Sequence, residues 1–283
     1  MEYRQTRFDP DACAEYSALF HRCFPTATHF STEYLQWLYA ANPAGLVVGF
    51  DAYDGDRLAA HYVCVPADIE LHGKRARALL SLNTATDPDY QGKGLFTRLA
   101  SMTYDLGAAE GFSCVFGVAN ANSTPGFIRK LGFLLVAPLE ARLGFGSLSP
   151  DWQRVAGAAA FRRMWDSKLL DWRLGNPANP LSHWVDRRGT HRLSAATTYP
   201  LIRAYAEIRS DMDSVATLPH GSGQLRLFLG MFPDGACTYR TYVPIPRRLR
   251  ASPLNFIFRN LAQSGDAPAP EDVLFSFLDF DAY

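Results

Sequence analysis

The chain has 283 residues, 48% of them apolar, enough for one large domain or two of ordinary size with filled cores. Its 28 Lys and Arg balance 28 Asp and Glu, which argues against a general electrostatic grip on nucleic acid or an anionic membrane. No apolar run approaches the ~20 residues of a membrane span, and the N-terminal MEYRQTRFDPDA has no apolar signal core.

Asp9 and Pro10 open a helix as N-cap and first-turn proline. A second helix is predicted over STEYLQWLYA, ending before Asn42-Pro43. LVVGFDAYDGDRLAAHYVCVP reads as a hairpin, two β-rich runs around the Asp54-Gly55 turn. ARALLSLNTAT is the next strand, and LFTRLASMTYDLGAAEG the next helix, with Leu95, Leu99, Met102 and Leu106 on one face. FSCVFGVAN is a strand and TPGFIRKLGF a short helix, with Thr124 as cap, Pro125 at its first position and Gly132 as its stop. Strand, helix, strand, helix predicts a parallel strand pair. GFGSLSP, Gly144 to Pro150, is the expected domain boundary. Near the C-terminus QSGDAPAPED reads as a loop and VLFSFLDFDAY as a strand.

The second half repeats the first. Leu35-Gln36-Trp37 followed by Asn42-Pro43-Ala44 recurs as Leu170-Asp171-Trp172 followed by Asn176-Pro177-Ala178. Arg57-Leu58 leading to Pro66 recurs as Arg192-Leu193 leading to Pro200. The offset is 134 or 135 throughout, far above a solenoid period, so two related domains in tandem are expected, 1–145 and 146–283. Residues 91 to 96 then map near LRLFLG at 225 to 230, which has no glycine loop. HGSGQ nearby runs into a strand pattern, so the second domain is expected to lack the binding loop of the first.

Between the third predicted strand and its helix stands DPDYQGKGLF. A strand-to-helix turn leaves backbone N–H groups unpaired, glycines clear side chains from them, and the helix dipole adds positive charge. Together these bind phosphate or pyrophosphate. A nucleotide P-loop needs GxxxxGK[ST], which Gly92-Lys93-Gly94 does not supply, and a dinucleotide fold needs GxGxxG, whose third glycine is Thr97 here. The pyrophosphate of coenzyme A is the third ligand of this kind.

PDYQGKGLF is similar to the Q/R-x-x-G-x-G/A loop of the GNAT N-acyltransferase superfamily. NSTPGFIRKLGF resembles that superfamily's next motif, an Asn after the following strand and a helix ending in K-L-G-F. The resemblance covers about residues 5 to 140 and is closer to a tandem-domain branch than to single-domain members. It implies an α/β fold of two tandem GNAT-like domains, each a mixed, largely antiparallel sheet flanked by helices, with a splayed parallel strand pair in the first. It implies further that Gln91, Gly92, Lys93, Gly94, Leu95 and Phe96 give backbone N–H groups to the pyrophosphate of acetyl-CoA or another short acyl-CoA. Thr84, Ala85 and Thr86 would line the pantetheine, and Asn122 would stand near it or the thioester. Two positions depart from the pattern: Phe96 stands where Gly or Ala is usual, and Ile128 where a tyrosine acid is usual.

Acyl transfer needs a neutral amine, so a proton must leave to a base or through water. His61 is a candidate base and Asn83 a candidate water holder, with Glu70 and Asp87 as further candidates. The seven histidines have no HxxxH spacing, so no metal is expected. Cys13, Cys23, Cys64, Cys114 and Cys237 are scattered, odd in number and without a CxxC, which reads as reduced thiols in a cytoplasmic protein. The expected activity is an acyl-CoA-dependent N-acyltransferase acting on a small-molecule primary amine. By analogy with tandem members the acceptor is an amino sugar or nucleotide-linked amino sugar. The rivals are an amino acid, polyamine or antibiotic amine as acceptor, and a CoA-binding protein without catalysis. No nucleic-acid or membrane partner is expected.

Overall fold

The computed structural model describes residues 1–209, 224–250, 252–262 and 265–280. Its first helices start where their caps stand. Asp9 accepts from the Ala12 N–H at the head of α1 (Pro10–Cys23), and Ser31 accepts from Tyr34 at the head of α2 (Thr32–Tyr39). A short edge strand, β1 (Glu2–Gln5), precedes them. It was not expected, because four polar exposed residues carry no alternation to read. The predicted hairpin is β2 (Val48–Asp54) and β3 (Arg57–Leu71), turned at Gly55 with φ of 60°. A second tight turn at His72-Gly73, both with positive φ, leads to β4 (Lys74–Thr86). Then come α3 (Leu95–Ala109), β5 (Cys114–Ala119), α4 (Thr124–Leu131) and β6 (Leu134–Pro138). The cap of α4 is Ser123, one residue before the expected Thr124, because the Asn120 side chain already turns the chain by accepting from Asn122 and Ser123.

Two compact units result. The first is residues 1–67, 77–135 and 257–267; the second is 68–76, 136–256 and 268 onward. They are interleaved and do not follow a single cut near residue 145.

The sheet of the first unit runs β1-β2-β3-β4-β5-β14-β6, where β14 is Asn255–Asn260. Its β4–β5 pair is parallel, from Ala78↔Cys114 to Ser81↔Gly117. β3 is buried from Leu58 to Ala67 because both of its faces are covered. Tyr62 points to the side of α3 and α4, where Leu95, Leu99, Tyr104, Phe127 and Phe133 form the core. His61 points to the other side, among Tyr16, Phe20 and Tyr39 of α1 and α2. Leu95 and Leu99 of the predicted α3 stripe are buried, while Met102 and Leu106 lie at its margin. Small residues complete the buried face, Gly107 letting the helix close on Leu79.

The second unit contains β7 (Glu140–Gly144), α5 (Trp152–Ala158), β8 (Phe161–Arg163) and α6 (Ser167–Leu174). Strands β9 (Ser182–Val185), β10 (Thr190–Ala196), β11 (Ile202–Arg209), β12 (Leu225–Met231) and β13 (Tyr242–Pro244) follow, with β15 (Phe275–Ser276) late in the chain. Its sheet runs β9-β10-β11-β12-β7-β13. The order matches β2-β3-β4-β5-β14-β6, down to a parallel pair, β11–β12. The parallel pair expected in the first domain is β4–β5, and the second has a counterpart.

Trp37 and Trp172 are each the sixth residue of their helices, α2 and α6. Asn42 and Asn176 make the same turn after those helices, each accepting from the N–H two residues on. The common offset holds at Arg57-Leu58 of β3 and Arg192-Leu193 of β10 and then fails, since Pro66 lies within β3 and Pro200 in the turn after β10. Residues 225 to 230 lie in β12, the counterpart of β5, not of the glycine turn. The parallel strands are joined by 27 residues in the first unit, 87–113, and by 15 in the second, 210–224. Most of HGSGQ lies outside the described residues. The strand expected over VLFSFLDFDAY is only the two residues of β15, since Asp279 folds back to accept from the Ser276 N–H; residues 281–283 lie outside the described part.

Candidate active site

β4 delivers the chain to the glycine turn through a pinned carboxylate. Asp87 is buried and accepts from Arg22 Nε at 3.1 Å, Arg57 Nη2 at 2.9 Å and the Asp89 N–H at 3.1 Å. Burial alone would raise its carboxyl, but the Asp89 N–H and the Arg57 and Arg22 guanidiniums outweigh that and hold it below the usual range. Such a group is a structural anchor and a poor base. Glu70, the other acid considered, is paired with Arg162 at 2.9 Å in the second unit. Since the folded-state pKa of Asp87 is lowered, its contribution to stability is complete above the unfolded value of ~4 and is lost as pH falls through the folded one. Asp87→Ala is expected to cost about 1–3 kcal/mol at pH 7, discounted for the half-exposed arginines. Thermal melts from pH 7 to 3 check this: the variant should show a shallower acid loss than the wild type.

The turn itself comprises a 3₁₀ turn at Pro88–Tyr90, then Gln91 to Gly94. Gly92 and Gly94 both have φ of 76°, left-handed backbone that glycine adopts without strain. An added Cβ at either would meet nothing within 4 Å, so the space before the loop is open. Gly94 is the N-cap of the 15-residue α3 and offers no side-chain acceptor, unlike Asp9, Ser31 and Asp166 at the heads of α1, α2 and α6. The first N–H groups of α3 are therefore left for a ligand, with the positive end of the helix dipole behind them. Lys93 places its ammonium 4.3 Å from the centre of the Tyr90 ring. Leu95 is buried. The Phe96 ring turns into the core, edge-on to Tyr62 and Phe127 at 5.9 and 5.4 Å, so its side chain does not occupy the face of the loop. Ile128 packs at the edge of the same core.

The parallel ladder stops at Ser81↔Gly117, while β4 continues to Thr86 and β5 to Ala119. Two residues past the last pair, Asn83 has φ of 45°, which breaks the extended run where the strands part. Thr84 and Thr86 are half-buried and Ala85 is buried along this stretch. Asn122 is exposed in the turn after β5, three residues beyond that strand's end.

His61 and Asn83, separate candidates in the sequence, belong to one hydrogen-bonded chain. His61 is fully buried, with Nδ1 2.6 Å from Asp51 Oδ1 and Nε2 2.8 Å from the Tyr39 hydroxyl. Asn83 Nδ2 donates to the Tyr39 oxygen at 3.2 Å. Tyr16 donates to Asp51 Oδ2 at 2.7 Å, and Thr6 to Oδ1 at 3.3 Å. Burial raises the phenols of Tyr39 and Tyr16 well above their ordinary value, so both stay protonated. His61 reaches the strand separation only through Tyr39 and Asn83.

Sequence reasoning missed Tyr39, Asp51 and Tyr16. Tyr16 lies in α1, Tyr39 in α2 and Asp51 in β2, and no motif in the sequence marks any of them.

Among the described residues, no group of three or more His, Cys, Asp or Glu is placed to hold a metal ion. No helix among them is long and apolar enough to cross a membrane.

Residues 4–136 match the family described as acetyltransferase (GNAT) domain. No curated protein matches the chain. Among solved structures it is similar to a conserved protein of unknown function from Enterococcus faecalis V583 described as a "Probable N-Acyltransferase". That match has 11% identity and a TM-score of 0.59, over 92% of this chain and 73% of that one. Eis1 from Mycobacterium abscessus matches at 11% identity and a TM-score of 0.59, over 92% and 74%. A GCN5-related N-acetyltransferase from Anabaena variabilis matches at 11% and 0.57, over 92% and 73%. At such identities the likeness is one of fold, and it spans both units.

Proposed function

We propose that this chain, whose residues 4–136 match the acetyltransferase (GNAT) domain, transfers an acyl group, acetyl or another short one, from coenzyme A to the primary amine of a small molecule. An amino sugar, free or nucleotide-linked, is the acceptor we favour. The observation that carries the reading is the uncapped left-handed glycine turn at the end of β4, next to the point where β4 and β5 part. Gln91 to Phe96 present the pyrophosphate site; Thr84, Ala85 and Thr86 line the pantetheine, with Asn122 across from them. The thioester then lies in the strand separation, beside Asn83.

The amine lone pair attacks the thioester carbon and a C–N bond forms. The tetrahedral oxyanion collapses, the C–S bond breaks, and the amine nitrogen sheds a proton. His61 and Asn83 are the residues assigned to preparing the amine. The thiolate has a reference pKa of ~8.5, so it departs without an obligatory acid, which is compatible with Ile128 in the usual tyrosine's place.

A lysine-like amine, at ~10.4, is mostly protonated at neutral pH and demands a strong base. A sugar amine, flanked by electron-withdrawing oxygens, is less basic, so a water or one weak base suffices. With acetyl-CoA and a panel of glucosamine, a nucleotide-linked amino sugar, lysine, spermidine and an aminoglycoside, the sugar amines are expected to be fastest. Their pH–rate profile should rise through one acidic limb and stay flat to about pH 9, and Ile128→Tyr should leave it nearly unchanged. Preference for lysine or spermidine, or a falling alkaline limb, would overturn the acceptor assignment. Coenzyme A binding without turnover of any amine would leave a CoA-binding protein.

A further inference from the structure

The direction of each hydrogen bond in the buried chain is fixed by the one before it. Asp51 is a carboxylate that accepts from Tyr16, Thr6 and His61. A carboxylate only accepts, so His61 Nδ1 carries the proton. With a proton on Nδ1 alone, Nε2 is an acceptor, and among the described residues the Tyr39 hydroxyl stands opposite it at 2.8 Å. Tyr39 has a single proton, spent on His61. Toward Asn83 its oxygen has only lone pairs left. Asn83 must therefore turn its NH₂ to Tyr39, as the 3.2 Å contact has it. Its carbonyl, Oδ1, is left over, and no donor among the described residues reaches it.

An amide has two faces of opposite character, and which one looks outward is normally free to change. Here it is not. Five of the six side chains concerned, Asp51, His61, Tyr16, Tyr39 and Thr6, are buried, and flipping Asn83 would set its oxygen against the Tyr39 oxygen, a loss on the order of an unsatisfied buried group, about 1–3 kcal/mol. Asn83 also holds φ of 45°. After glycine, Asn and Asp adopt this conformation most readily, at a cost of about 1 kcal/mol. This residue lies two positions past the last pair of the parallel ladder.

We infer that Asp51, His61 and Tyr39 act as positioning residues that lock the amide of Asn83, so that its Oδ1 is a fixed hydrogen-bond acceptor for the N–H of the incoming amine. The inference rests on the acyltransfer reading above and specifies how that site recognises its acceptor. An N–H held by Oδ1 turns the nitrogen lone pair away from β4's side chain and toward the strand separation, where the thioester carbon lies. The same lock rejects a hydroxyl-free, acceptor-only group at this point, since two oxygens would face each other. Asn83 is then the residue that touches substrate. His61, sealed from it, works through Tyr39.

The test uses the full chain with acetyl-CoA and glucosamine, or whichever panel amine the wild type turns over fastest. Tyr39→Phe removes one oxygen and frees the amide to rotate. It is expected to raise the KM for the amine at least tenfold, with kcat changed less than threefold and the affinity for coenzyme A by calorimetry unchanged. Asn83→Asp offers an acceptor on both faces and needs no lock. In that background Tyr39→Phe should raise the amine KM less than threefold. A purely structural role for Tyr39 would give the same loss in both backgrounds.

If Tyr39→Phe does not fold, Asn83→Leu decides: it should raise the amine KM at least tenfold, with the affinity for coenzyme A by calorimetry unchanged. An active wild type whose amine KM is unmoved by Tyr39→Phe, or by Asn83→Leu, overturns the inference alone. A wild type that binds coenzyme A and acylates no amine overturns the acyltransfer reading, and the inference falls with it.

Discussion

Gly94→Asp is expected to lower the affinity for coenzyme A at least 100-fold and leave the fold intact. The backbone at this residue has φ of 76°. Asp is among the few residues that visit this region at modest cost, about 1 kcal/mol. The space an added Cβ would enter is empty in the free protein, so nothing clashes until the ligand arrives. The carboxylate would then stand where the pyrophosphate belongs. Two like charges ~4 Å apart at an effective dielectric of ~20 repel by about 4 kcal/mol, roughly a thousandfold in affinity. Gly94→Ala adds bulk and backbone strain without charge, so a loss nearer tenfold is expected. Calorimetry with coenzyme A on the three proteins gives the order wild type, alanine, aspartate. Undiminished affinity in the aspartate variant would remove the glycine turn from the binding site.

The second large effect concerns stability. Gly230 lies in β12 between two partners, opposite Glu140 of β7 on one side and Ser276 of β15 on the other. A Cβ there would fall 2.1 Å from the Phe275 carbonyl oxygen and 2.8 Å from the Ser276 Cα. Both obstacles are backbone, so no rotamer change relieves them. Gly230→Val must push β15 off β12, with an expected cost of about 3–4 kcal/mol and a fall in Tm of roughly 10 °C. Gly157, in the exposed part of α5, is the control, since a Cβ there meets nothing within 4 Å and its φ is ordinary. Gly157→Ala should be neutral or stabilise by up to ~1 kcal/mol. Equal melting temperatures for Gly230→Val and the wild type would mean that β15 does not pack on β12.

What the sequence disclosed follows the range of the forces involved. Caps, glycine turns and helix stops are local, and Asp9, Ser31, Asp54-Gly55 and Gly132 stand where local chemistry puts them. The tandem repeat was legible because Trp37 and Trp172, with the Asn turns after them, keep one spacing. The buried chain was not, and the reason is a single residue. Counting back across the hairpin from Asp54↔Arg57 puts Asp51 opposite Ala60. A β-bulge between Ala52 and Tyr53 moves the register by one and sets Asp51 opposite His61. No turn signal announces it. The strand β14 was equally hidden, because its place between β5 and β6 is a pairing across more than 100 residues of sequence.

That pairing has a consequence for how the molecule is made. β5 ends at Ala119 and its neighbour β14 begins at Asn255. At a ribosome's pace of about 5–20 residues per second, roughly 7 to 27 seconds pass between the two. For that interval β5, whose residues are nearly all apolar, is the unpaired edge of a growing sheet, and β6 has no strand to lie against. An open apolar edge is a template for joining another chain. The nascent protein therefore carries its greatest risk of aggregation in the middle of synthesis. The risk ends only when the Ser113 carbonyl receives the N–H of Leu261, late in translation.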